Sequence, residues 1–100
     1  KYELYIGLQK ANGNKVEYSY LIHILDSLFD GYTVTVGTGI WKGQAEDTVI
    51  VTIIRQTHEA PVSEEEVGRI AKLLDQQEIW MVTTPCDITI IKPFEAQTFI

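Results

Sequence analysis

His23, Asp26 and Ser27 lie close together on one short stretch of the chain, and a serine, a histidine and an aspartate invite comparison with a nucleophilic triad. Such a triad needs its members turned towards one another, with an oxyanion site beside them. The polar side of a single helix seldom provides that, so a solvated face is the plainer reading. His58 and Glu59 adjoin in a connection, and two histidines without a cysteine cluster make no zinc set. Cys86 follows Pro85, where a small buried hydrophobe is expected; a nucleophilic thiolate would need a nearby base, and none is identifiable. Arg55 and Arg69 are the best lone anion-binding candidates. Glu64, Glu65 and Glu66 are accounted for by helix capping.

The glycine-punctuated run at residues 37–43, Gly-Thr-Gly-Ile-Trp-Lys-Gly, is the other chemically suggestive stretch. A phosphate loop leads into a helix N-terminus, where free N–H groups point at the anion. Here the run leads into another strand, which favours a structural bulge or hairpin bend. A further reading makes Trp41 and Lys42 a surface that stacks on and pairs with a ligand or partner. The residues expected to bind are Tyr5, Thr38, Trp41, Lys42 and Arg55. No catalytic, metal or cofactor residue is assigned.

These side chains are positioned by six elements. Tyr2, Leu4, Ile6 and Leu8 alternate with Glu3, Tyr5 and Gly7, the period of a half-buried strand, and Asn12-Gly13 marks the turn after it. Tyr18, Leu21, Ile22, Leu25, Leu28 and Phe29 then follow helical spacing, with Gly31 suited to a left-handed cap. Residues 31–56 form the ribbon around which the rest is organised. One strand starts at Tyr32, Gly37 and Gly39 interrupt it, residues 44–47 make a polar connection, and a second strand covers residues 48–56. That second strand is apolar on both faces, as in the middle of a sheet.

Ser63 and Glu66 form a capping box, and Val67, Ile70, Ala71 and Leu74 give the second helix its buried stripe. Residues 78–84 form the fourth strand; residues 88–91 either continue it beyond Pro85 or start a fifth. The order strand, helix, strand, strand, helix, strand is the ferredoxin-like split βαβ arrangement, an α+β fold with a four-stranded antiparallel sheet and two helices on one face. Right-handed crossovers make the first and third strands central and the second and fourth edges. Residues 1–92 form one domain, and residues 93–100 are a tail ending in Phe99 and Ile100.

The composition fits a single domain of 100 residues, 45% hydrophobic and 22% charged. Eight basic against 14 acidic side chains give a net charge of −6, which disfavours grip on a phosphate backbone. The lone cysteine excludes an internal disulfide and fits a reducing compartment. No apolar run approaches the ~18 residues of a membrane helix, and no signal-peptide pattern opens at Lys1. The expectation is a cytoplasmic chain without membrane or nucleic-acid partners. The sheet's second face would carry Tyr5 and Gly7; with five tyrosines and two tryptophans in the chain, an aromatic surface there points to homo-oligomerisation or a ligand.

Residues 2–8, Tyr-Glu-Leu-Tyr-Ile-Gly-Leu, are followed by Gly31-Tyr32-Thr33-Val34 and by Gly39-Ile40-Trp41-Lys42-Gly43 with Glu46. Over residues 2–54 this pattern resembles a family of small bacterial and phage domains of unknown function. The Trp and Pro-rich segment of that family's first helix is missing here. The resemblance implies a ferredoxin-like fold and a phage origin, and carries over no catalytic residue.

The residues favour a non-enzymatic, oligomeric binding protein for a small polar ligand, such as a signalling nucleotide, or for a host protein. The alternative is a small ferredoxin-like enzyme with a His or Tyr acid–base at a subunit interface. The convergent polar cluster such an enzyme requires is not evident in the sequence.

Overall fold

A computed structural model describes residues 1–94 of the chain. The order is β1 (Tyr2–Gly7), α1 (Tyr18–Leu28), β2 (Thr33–Trp41), β3 (Gln44–Ile53), α2 (Glu64–Leu73) and β4 (Trp80–Thr83). The strands form one antiparallel sheet in the order β2-β3-β1-β4, so β1 and β3 are central. This is the ferredoxin-like α+β arrangement.

Alternation assigns the two faces of the sheet. Leu4 and Ile6 from β1 and Val49, Val51 and Ile53 from β3 are buried towards the helices. Leu21, Ile24, Leu25 and Phe29 come down from the α1 side, and Val67, Ile70 and Leu74 from the α2 side. The stripe of α1 is rotated from the expected one: Ile24 is buried and Tyr18 is exposed. A leucine or isoleucine sealed in this way contributes roughly 1.5–3 kcal/mol against leaving it in water, so the layer interface dominates the stability.

The start of α2 follows its sequence signal. The Glu66 N–H donates to Ser63 Oγ at 3.1 Å, and the Ser63 N–H donates back to Glu66 Oε1 at 3.1 Å. The other helix has no such device: Glu17 at its N-cap makes no side-chain cap. It ends at Leu28 on an extended Phe29 (φ −131°), and Gly31 is not left-handed. Phe29 closes the helix by sinking into the core instead.

The ribbon departs from expectation in three places. Gly37 and Gly39 make no bulge, because pairing runs unbroken from Thr33 opposite Thr52 to Trp41 opposite Gln44. Residues 44–47 belong to β3, and the connection is the two-residue turn Lys42-Gly43, both left-handed at φ 49° and 77°. That geometry matches the right-handed twist of a hairpin and needs glycine or a tolerant residue at each position. The third difference is length: β3 ends at Ile53, leaving Ile54 exposed and Arg55 beyond the strand.

The fourth strand is shorter than residues 78–84, covering Trp80–Thr83 alone. Residues 88–91 form neither its continuation nor a fifth strand, and Cys86 is exposed rather than buried. Phe99 and Ile100 lie outside the described residues. Among those described, no helix is long and apolar enough to cross a membrane.

Candidate functional site

The face of the sheet away from the helices is open, and its chemistry gathers at one end. Tyr5 on β1 stands opposite Trp80 on β4. Two residues further along β1 is Gly7, opposite Thr48; next to it on the same face come Glu46 and its partner Gly39, and then Trp41 at the hairpin tip. The two indoles meet edge to face, with centroids 5.9 Å apart and planes at 85°. Their strands are the two edges of the sheet, about 14 Å apart at the usual ~4.8 Å strand spacing. Trp80 shares its ladder row with Thr35 of β2, six residues and about 20 Å along the strand from Trp41. The rings meet only because the β2–β3 arm curls over the open face, past Gly39 and Gly7, which carry no side chain.

The result is a groove of about 540 Å³. Tyr5, Trp41 and Trp80 form its aromatic walls; Lys10, Lys42, Glu46 and Glu78 are its charged groups; and Gln9, Gln76 and Gln77 its amides. The Glu46 carboxylate lies over Gly7, in the space a Cβ there would occupy. A Cβ at position 39 would come within 2.5 Å of Thr48 Oγ1. The far bank is tied down as well: Gln76 Nε2 donates to the Gln9 carbonyl at 2.9 Å, and the Ala11 N–H to the Asp75 carbonyl at 2.8 Å. An aromatic platform, two carboxylate acceptors, amides and two ammonium groups can together hold a planar, polar molecule.

Of the five expected binding residues, Tyr5, Trp41 and Lys42 converge on this groove. Thr38 alternates onto the other face of β2. There it lines a separate cavity of about 580 Å³ with Leu8, Val16, Ala45 and Asp47. Arg55 belongs to the opposite end of the sheet. Its guanidinium donates to the Ala60 carbonyl at 2.7 Å and sits 5.7 Å from the Phe29 ring centre, so it holds the β3–α2 connection to the core. Arg69 makes an exposed 3.8 Å pair with Glu65, a contact of little energy.

The triad residues are occupied separately. Asp26 accepts from the Tyr32 hydroxyl at 2.6 Å, Ser27 donates to the Ile24 carbonyl at 2.6 Å, and His23 is exposed. Burial, and then the Asp26 carboxylate, push the Tyr32 phenol up to about 12. His58 is exposed in the β3–α2 connection. Among the described residues, no three or more His, Cys, Asp or Glu side chains are grouped to hold a metal ion.

Trp80, Glu46 and Gly7 were not singled out as site residues by sequence reasoning. A signal existed: Ile79 and Met81 pack on the core, so alternation turns Trp80 and Val82 to the face that carries Tyr5. No family model, curated protein or solved structure matches this chain.

Proposed function

We propose that this chain is a non-enzymatic binding protein that holds a nucleoside or nucleotide in the Trp41–Trp80 groove. The observation carrying the reading is the edge-to-face meeting of two exposed tryptophans from opposite edges of the sheet, beside Glu46. Surface tryptophans that serve no core are costly to expose, and a flat heterocycle is what their faces cover best. In this reading Glu46 and the glutamines take the polar edge of the base, and Lys10 and Lys42 take a phosphate. The two lysines supply local positive charge on a chain that is acidic overall.

Both histidines lie away from the groove, which favours binding over acid–base catalysis by either. The resemblance to phage domains suggests a setting, namely withdrawal of a host signalling nucleotide in the cytoplasm by a homo-oligomer. A single cysteine and the exposed apolar side chains support those last two attributes.

Both tryptophans of the chain line the groove, so intrinsic fluorescence reads it directly. Titration with purine and pyrimidine mononucleotides is expected to change the emission saturably. Trp41→Ala should weaken binding about fivefold or more, from the ~1–3 kcal/mol of one stacked base, and leave the far-UV circular dichroism unchanged. Equal affinity in wild type and Trp41→Ala, or no saturable change with any base, would overturn the proposal.

A further inference from the structure

The sheet has a long bare edge at β2, and the chain carries a strand-like segment that has no sheet. Among the described residues β2 pairs only with β3, and its residues Thr33–Trp41 contain no charge and no proline, the usual guards against a further strand. Its helix-side face runs past the core, leaving Val36 60% and Ile40 69% exposed. After Thr84, residues 85–94 make no backbone–backbone hydrogen bond to another described residue. They nevertheless contain the extended pattern Asp87-Ile88-Thr89-Ile90-Ile91-Lys92, with Ile90 65% and Ile91 86% exposed.

The two surfaces are kept apart within one chain. The segment leaves β4, the opposite edge of the sheet, and leaves it at the Thr83 end, level with Tyr2, Ile53 and the start of β2. The bare arm ends at Trp41, at the other end of the ladder.

We infer that residues 87–92 of one copy add as an antiparallel strand to the outer edge of β2 in a second copy. Charge selects the direction. Antiparallel addition sets Asp87 beside Lys42 at the hairpin tip, whereas parallel addition would bring Lys92 to Lys42. With Asp87 opposite Trp41, Ile88 falls opposite Ile40, Ile90 opposite Thr38 on the same face, and Ile91 opposite Gly37, where nothing lies within 4 Å of a would-be Cβ. Main-chain pairing supplies affinity and the alternate isoleucines supply register, as in strand addition generally. The added strand would also brace the arm that carries Trp41 and Lys42 to the groove. This specifies the self-association included in the proposed function and does not depend on what the groove binds.

The test is sedimentation equilibrium of ligand-free protein from about 1 to 100 µM, beside a chain ending at Thr84. Among the described residues the core takes none from 85–94, and circular dichroism checks that the shortened chain keeps its fold. The full chain is expected to associate, and the shortened chain and Ile90→Lys to have the mass of one chain. Lys42→Asp and Asp87→Lys should each weaken association up to about fivefold, and their combination should recover it. A monomeric full chain overturns both the inference and the homo-oligomer. Association that survives removal of the segment overturns the inference alone, and failure of the double swap to recover overturns the antiparallel pairing.

Discussion

Glu46 occupies the space that a side chain at position 7 would need, so these two residues are a single design. A methyl group on residue 7 meets only the flexible end of Glu46, which can swing away at little cost to folding. Gly7→Ala is therefore expected to keep its thermal midpoint within a few degrees while losing nucleotide affinity, because the carboxylate is expelled from the groove. Loss of the fold instead would mean that the strand itself requires glycine there. Tyr32 makes a different residue-scale prediction. Its phenol is held protonated by burial and by Asp26, with its pKa raised from 10.0 to about 12. A raised pKa favours the protonated form in the folded state. The resulting stability is fully present below pH 10 and is lost as pH rises through 12. The difference in phenolate absorbance between wild type and Tyr32→Phe should accordingly have its midpoint near 12; a midpoint near 10 would mean that neither the burial nor the Asp26 contact holds in solution.

At the scale of elements, the β2–β3 hairpin carries the site and its turn sets the register. Gly43 at φ 77° is strained for any residue with a Cβ, so Gly43→Ala should lower stability by about 1–2 kcal/mol in urea unfolding at unchanged m-value. The capping box of α2 should cost about 1 kcal/mol when broken by Ser63→Ala. Strand and helix order were legible in the sequence, because period 2 and period 3.6 are written by the residues that face the core. The course of the hairpin was less legible. Gln44, Ala45, Glu46 and Asp47 read as a polar connection because they overhang the core, yet ladder hydrogen bonds do not require apolar side chains. Gly37 and Gly39 read as a bulge, where the structure uses a regular ladder with a cleared floor. Tyr5, Trp41 and Lys42 could be foreseen as a surface; alternation in β4 also turns Trp80 to that face, but its meeting with Trp41 was not legible, since it depends on pairing between elements far apart in the chain. Thr38 and Arg55 were grouped with them by residue type, while the pleat and the length of β3 send them elsewhere.

The whole molecule divides its work between its faces. The helix-covered face holds the stability, with every fully buried side chain of the described residues in that layer, and the open face carries the proposed site. Exposed apolar groups are concentrated on that open face, on the hairpin arm and on the segment after β4, which are the surfaces assigned here to a ligand and to a second copy. A net charge of −6 sets these contacts against a general repulsion between copies, so association should strengthen as salt rises, unlike phosphate binding at Lys10 and Lys42, which should weaken.

The claim that the Trp41–Trp80 groove is a nucleotide site is tested most directly by amide and indole chemical shifts recorded as a mononucleotide is added. The account predicts that both indole N–H signals move together with the amides of Gly7, Gly39 and Glu46, while those of Thr33, Arg55 and Ala60 stay in place. Shifts confined to the cavity beside Thr38 or to the Arg55 end, or none at all at millimolar nucleotide, would contradict it.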